Sequence, residues 1–128
     1  MNPYLITGAV LAFGIGLAHS YLGERYLLIR LFRRTNLPRL FGSDDFTKRT
    51  LRFVWHATTI AWWGLGAVMA LVAASQTDQV GSTVLAVVAL TFLVTGIITL
   101  VQTRGRHLSW VMFLAIAVLC WFGRNLLG

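Results

Sequence analysis

The chain has 128 residues, of which 57% are hydrophobic and only 12% are charged. Soluble domains carry about a quarter charged residues, so this composition argues against a soluble fold. The length accommodates one domain, which we take to span residues 1–128. A single cysteine, Cys120, lies within an apolar stretch, which excludes a disulfide framework and a cysteine-based metal site.

Four continuously apolar stretches divide the chain, at about residues 4–22, 53–74, 80–101 and 108–124. A helix of about 20 residues crosses the ~30 Å hydrocarbon layer of a bilayer, and the first three stretches meet that length. The fourth is shorter, so we expect the side chain of Arg124 to extend outward to the headgroups. We therefore predict an all-α integral membrane bundle of four transmembrane helices.

The basic residues are strongly biased to one side of this bundle. Of the eleven Lys and Arg residues, all but Arg124 lie in the loop 23–52 or at residues 104–106. The positive-inside rule places such loops in the cytoplasm. We therefore predict that the basic loop 23–52 is cytoplasmic and that the N-terminus and the C-terminus lie outside.

This bias also bears on location and partners. The chain has a general likeness to small bacterial inner-membrane proteins, and we expect it to be a multi-pass protein of the inner (plasma) membrane. We expect its basic residues to bind anionic phospholipids, so the net charge of +7 does not call for nucleic acid. A homo-oligomer or a membrane-protein partner is also expected. The candidate anion- or lipid-binding residues are Arg25, Arg52, Arg104 and Arg106.

The long basic loop has an organisation of its own. Residues 24–34 mix apolar side chains with four arginines, which suits a helical extension lying along the headgroups. Residues 36–38 should break this extension, because Pro38 disfavours helical geometry in the residue before it. Ser43 is a candidate N-cap, so we predict that the second helix begins near Asp44.

Small and polar residues mark two further helix faces. The small residues recur every four positions, which permits close packing of neighbouring helices in a membrane. Threonines recur in the same way in the third stretch, where they can bond to the carbonyl one turn earlier or line a water-filled path. The small stripes are Gly8, Ala12, Gly16 and Ser20 in the first stretch and Gly66, Ala70 and Ala74 in the second. The polar face of the third stretch is Thr91, Thr95, Thr99 and Gln102.

The three histidines all fall at the predicted cytoplasmic ends of helices. His19 is near the end of the first stretch, His56 near the start of the second and His107 just before the fourth. Histidine is common at membrane interfaces, but an ionisable residue at membrane depth is also a functional-site hypothesis. Because the first two helices run antiparallel, we predict that the imidazoles of His19 and His56 face each other.

Polar residues accompany these histidines at helical spacing. Ser20 and Glu24 lie next to His19, and Thr59 follows His56 on the same face one turn deeper. Arg52, four positions before His56, faces the same level. Imidazole ligates divalent metals and haem iron, so we predict that His19, His56 and His107, with Glu24 as an oxygen ligand, bind a metal or haem b.

Three classes of function fit these features. The first is a redox or metal-handling membrane protein that uses the histidines. The second is a small oligomeric channel or transporter, with a path between protomers or along the threonine face. The third is an accessory or assembly subunit whose basic loop binds anionic lipid or a membrane partner. Catalysis by Ser20 or Glu24 with a histidine has no sequence motif to support it.

The predicted topology has a direct test. A reporter fused after Gly128 should be periplasmic and one inserted near Gly42 cytoplasmic, because nearly all basic residues flank the inner helix ends. Compartment-specific reporter activity measures both positions. A cytoplasmic reporter after Gly128 would contradict the arrangement of four spans with the N-terminus outside.

Overall fold

A computed structural model of the chain describes residues 2–74, 79–102, 104–106 and 108–125. Within these ranges the protein has four helices and no strand, as the all-α prediction requires. Helix α1 begins as Pro3–Leu22 and continues through a π-helical segment, Gly23–Leu28, to Ile29–Leu31. The others are α2 (Asp45–Ala74), α3 (Gln79–Gln102) and α4 (Ser109–Asn125).

Three of the four helices are long and apolar enough to cross a bilayer. They are α1 with its extension, which has 29 residues, α2 with 30 and the apolar part of α3, Val80–Val101, with 22. Helix α4 is apolar but has only 17 residues. The structure therefore supports three spans by length and composition, and α4 is as short as the sequence indicated.

Helix α1 is central to the packing. It contacts α2 on one side and α4 on another, and α4 in turn packs along α3, whereas α2 and α3 touch little. The buried core occupies the half of the bundle nearer the α2–α3 connection. The opposite half, which we call the basic end, contains the end of α1, the start of α2, the end of α3 and the start of α4.

Asn2 closes the end of the bundle that is remote from the basic end. Its side-chain amide donates to the carbonyl of Gly123, 2.7 Å away, and its carboxamide oxygen accepts from the backbone N–H of Tyr4 and Leu5. Its backbone N–H donates to the carbonyl of Ala73. Asn2 thus caps α1 and joins three helices, because each of these backbone groups would otherwise lack an intrahelical partner.

The small stripe of α1 lies against α2. Ala12 is fully buried, and a Cβ at Gly66 of α2 would lie 3.2 Å from the Cβ of Ala12. At Gly16 the indole of Trp63 approaches so closely that an added Cβ would lie 2.5 Å from its Nε1. Trp63 uses this nitrogen to donate to the carbonyl of Phe13 at 3.1 Å. The small residues of the stripe therefore allow bulky α2 side chains to pack directly on the backbone of α1.

The basic loop ends in the turn that starts α2. Gly42 has a positive φ of 89°, which glycine adopts without steric cost. The Ser43 hydroxyl accepts from the backbone N–H of Asp45, the first residue of α2, one position beyond the predicted start. The Lys48 ammonium lies 2.8 Å from the Asp44 carboxylate, and its hydrogen bond lowers the pKa of Asp44.

The α1–α2 contact predicts opposite effects for two glycines of the same helix. Gly16→Ala should lower the free energy of unfolding by about 1–3 kcal/mol, because Trp63 must move and lose its hydrogen bond to α1. Gly14→Ala is the matched control, since an added Cβ meets no atom within 4 Å there. It should leave stability unchanged or raise it, because alanine favours helix. Thermal unfolding in detergent measures both, and equal losses would contradict this packing.

Candidate functional site

Four polar side chains form a continuous hydrogen-bonded chain between α1 and α2 at the basic end. The Ser20 Oγ and His56 Nδ1 atoms lie 2.5 Å apart, and the His56 Nε2 lies 3.3 Å from the Glu24 Oε2. Arg52 donates from Nε to Oε2 of Glu24 at 3.2 Å, and its terminal nitrogen lies 2.9 Å from Oε1. We call Ser20, His56, Glu24 and Arg52 the polar chain.

The partners of His56 indicate how its proton is placed. A neutral imidazole has one N–H donor and one acceptor nitrogen. The Glu24 carboxylate, which is paired with the Arg52 guanidinium, accepts a hydrogen bond from the imidazole, so the imidazole N–H is at Nε2. The Nδ1 atom is then the acceptor nitrogen. The Ser20 hydroxyl then donates to Nδ1. Each group in the polar chain therefore has a complementary partner, and the carboxylate orients the imidazole.

The helices bring these residues together by simple spacing. Ser20 and Glu24 are four positions apart on α1, and Arg52 and His56 are four apart on the antiparallel α2. One turn deeper, the buried Thr59 hydroxyl donates to the carbonyl of Gly16 at 3.3 Å. That bond fixes the register of the two helices, because it ties an α2 side chain to the backbone of α1.

The polar chain is open to its surroundings. The exposed fractions of the side chains are 37% for His56, 30% for Glu24 and 49% for Arg52. The carboxylate is thus partly desolvated but not enclosed, and a molecule at the basic end can reach His56. Exposed ion pairs contribute little to stability, so this cluster is weak as a stabilising device.

His19 makes a different set of contacts. Its ring stacks on Trp55, with centroids 4.4 Å apart and an interplanar angle of 6°, and meets the edge of Trp62 at 4.8 Å. The Trp55 indole donates to the backbone carbonyl of His19 and packs on Gly23. The contacts described for the two imidazoles are therefore with different partners: His56 belongs to the polar chain, whereas His19 belongs to an aromatic cluster.

That aromatic cluster forms one wall of a cleft of about 570 Å³, which we call the aromatic cleft. All four helices contribute lining residues to the cleft, and two of them, α2 and α3, touch little. Most of its lining is apolar. The aromatic and polar residues that line it are His19, Tyr26, Trp55, Trp62, Thr95, Thr99, Ser109 and Phe113.

The predicted polar face of α3 reaches this cleft in part. Thr95 and Thr99 line it, while Thr91 does not. All three hydroxyls donate to the backbone carbonyl four residues earlier, at 2.8 to 2.9 Å. Each of these hydroxyls therefore donates its hydrogen bond within α3, as threonine hydroxyls in apolar helices do. The Gln102 side chain lies outside the part of the chain that the structure describes.

The predicted anion-binding arginines separate into different environments. Arg52 belongs to the polar chain, and Arg104 and Arg106 are exposed in the α3–α4 connection. Arg25 lines a small cavity of about 220 Å³ with Tyr26, Ile29, Arg30 and Arg33, which we call the arginine pocket. Arg30 and Arg33 were not among the predicted site residues, although Arg25, Ile29 and Arg33 repeat every four positions.

The metal or haem hypothesis finds little support in this geometry. Within residues 2–74, 79–102, 104–106 and 108–125, no three His, Cys, Asp or Glu side chains are grouped to hold a metal ion. Glu24 and His56 already bind Arg52 and Ser20. His107 lies outside the described residues, so metal or haem at the histidines stays a prediction.

The hydrogen-bond directions assigned to His56 predict its tautomer. In protein labelled with ¹⁵N-histidine and held in lipid nanodiscs, neutral His56 should carry its proton on Nε2, because Glu24 accepts there. Ser20→Ala should shift the Nδ1 resonance by removing its donor and leave the His19 signals unchanged. The His56→Gln variant assigns the peaks. A neutral His56 with its proton on Nδ1 would contradict the assigned directions.

The comparisons with known proteins add no relative. The chain matches no protein-family model, no curated protein and no solved structure.

Proposed function

We propose that the chain is a multi-pass protein of the inner (plasma) membrane, with the basic end in the cytoplasm and both termini outside. Three helices long and apolar enough to cross a bilayer support this proposal. The concentration of Lys and Arg at one end of the bundle supports the orientation. In this arrangement the polar chain lies at the level of the cytoplasmic headgroups.

We further propose that the polar chain is a catalytic site for acyl transfer from an amphipathic ester, with Ser20 as the nucleophile. One observation carries the proposal: His56 joins the Ser20 hydroxyl at one ring nitrogen to the Glu24 carboxylate at the other. Nucleophile, base and orienting carboxylate in sequence are the arrangement that activates a serine in unrelated folds. An ester with an apolar chain fits a site at the membrane surface.

The geometry assigns a role to each member of the polar chain. As Ser20 Oγ forms a bond to the ester carbonyl carbon, its proton passes to His56 Nδ1. The Nε2–H bond to Glu24 stabilises the imidazolium that results, and Arg52 keeps this carboxylate in place. The C–O bond to the leaving alcohol then breaks, and His56 returns the proton to that oxygen. Water or an acceptor alcohol releases the acyl group from Ser20 by the same steps in reverse.

Covalent labelling tests the nucleophile. A fluorophosphonate probe should modify Ser20 of the purified protein, forming an O–P bond and releasing fluoride. Ser20→Ala should abolish this label, and His56→Gln should slow it about 100-fold or more, because general-base catalysis contributes at least that much. Ser109→Ala is the control and should label as the wild type does. An unlabelled wild-type protein, or equal labelling of the Ser20→Ala variant, would refute the proposal.

The earlier alternatives remain separate proposals with their own tests. Metal or haem binding in a redox or metal-handling role predicts a metal by elemental analysis, or a Soret band, in protein purified from membranes. A channel or transporter predicts substrate flux in liposomes. Neither is supported by a geometric feature among the described residues. No three metal-ligating side chains are grouped there, and the threonine hydroxyls of α3 donate to carbonyls of their own helix. The lipid-binding alternative does have such a feature.

A further inference from the structure

Two cavities of different character meet at Tyr26. Its side chain lines the aromatic cleft, of about 570 Å³, and also the arginine pocket, of about 220 Å³. Tyr26 belongs to the extension of α1, half exposed, with the Arg30 guanidinium 5.8 Å above its ring. An apolar cleft and a cationic pocket are therefore adjacent, separated by one side chain.

No described carboxylate neutralises the positive charge of the arginine pocket. None of its three guanidinium groups, those of Arg25, Arg30 and Arg33, is in an ion pair with a described residue. The described carboxylates have other partners: Glu24 pairs with Arg52 and His56, Asp44 pairs with Lys48, and Asp45 accepts from the Ser43 hydroxyl. Three cations within about two turns of helix repel one another, so an anion bound among them would relieve that repulsion.

The aromatic cleft has the complementary chemistry. Most of its lining is apolar, from aliphatic side chains of α1, two tryptophans of α2 and Phe113 of α4. Its polar members are His19, Tyr26, Thr95, Thr99 and Ser109. The Thr95 and Thr99 hydroxyls on its α3 side already donate to backbone carbonyls, so they need no polar ligand as acceptor. Such a cleft favours an apolar chain, because water inside it would find few hydrogen-bond partners.

We infer that the two cavities together bind one anionic phospholipid, with its phosphate in the arginine pocket and an acyl chain in the aromatic cleft. Guanidinium groups pair with phosphate oxygens in bidentate fashion, which lysines do not. The adjacent apolar cleft selects a lipid over free phosphate. This site is distinct from the polar chain, because Ser20, His56 and Glu24 line neither cavity.

A defined site differs from general attraction to a charged membrane surface. General attraction depends on the number of basic residues near the headgroups and not on where they lie. A two-part site requires the arginines of this pocket and an open cleft, and it takes one lipid per chain. Variants that change one cavity at a time, each with a matched change elsewhere, separate these two cases.

Lipid binding to the purified full-length protein, followed by native mass spectrometry in a neutral detergent, provides the test. Phosphatidylglycerol is the probe, and phosphatidylcholine and inorganic phosphate are the comparisons. We expect one tightly bound phosphatidylglycerol, weaker retention of phosphatidylcholine and no displacement by millimolar phosphate. Equal retention of the two lipids, or displacement of the lipid by free phosphate, would overturn the inference.

The variants address each cavity in turn. The double change Arg30→Gln and Arg33→Gln should weaken phosphatidylglycerol binding about 30-fold, whereas Arg39→Gln with Arg49→Gln removes the same charge elsewhere and should change it less than about threefold. Ala18→Phe narrows the cleft and should weaken binding at least tenfold. Ala61→Phe, on an exposed part of α2, should not. Equal effects of test and control pairs would leave only general surface attraction and refute the site.

The Ser20→Ala variant distinguishes the lipid site from the proposed catalytic site. Ser20→Ala should retain phosphatidylglycerol as the wild type does, because Ser20 lines neither cavity. Loss of probe labelling with retained lipid binding would support both proposals. Retained lipid binding in a protein that never labels would reject catalysis alone, and loss of lipid binding in Ser20→Ala would reject the lipid site as placed.

Discussion

The close approach of α2 to the backbone of α1 is the contact on which the rest of the structure depends. At Gly16 and Gly23 there is no side chain, so the indoles of Trp63 and Trp55 lie against the α1 backbone and donate to its carbonyls. In a membrane, where apolar neighbours surround every helix, packing and interhelical hydrogen bonds of this kind hold helices together. This contact also fixes which residues of α1 and α2 meet at the basic end.

The same contact divides the polar and aromatic residues of the basic end between two environments. His56 meets Ser20 and Glu24 in the polar chain. Trp55, one residue earlier on α2, stacks on His19 beside the aromatic cleft. Neighbouring residues in sequence thus contribute to a hydrogen-bonded site and to an apolar cavity. The π-helical segment Gly23–Leu28 contributes to both, with Glu24 in the polar chain and Tyr26 in the lining of the cleft, as π-helical turns often lie at functional sites.

Periodicity predicted the helical segments, and the residues that are four positions apart, Ser20 with Glu24 and Arg52 with His56, meet in the polar chain. The orientation of the His19 ring could not be predicted from the sequence. Stacking on Trp55 competes with pairing to His56, and only the packing of the helices determines which of the two occurs. The aromatic cleft was not predicted either, since it is lined by residues of all four helices, two of which, α2 and α3, touch little. Single-sequence periodicity reports which face is apolar but not how far apart two helices lie.

The Ser20–His56 hydrogen bond depends on the close packing of α1 on α2. Solid-state NMR in lipid bilayers can measure the dipolar coupling between the Cβ of Ser20 and the Nδ1 of His56. We expect a measurable coupling in the wild type and a weaker one in the Gly16→Ala variant, where Trp63 must move away from α1. No coupling in the wild type, or a coupling unchanged by Gly16→Ala, would contradict this dependence.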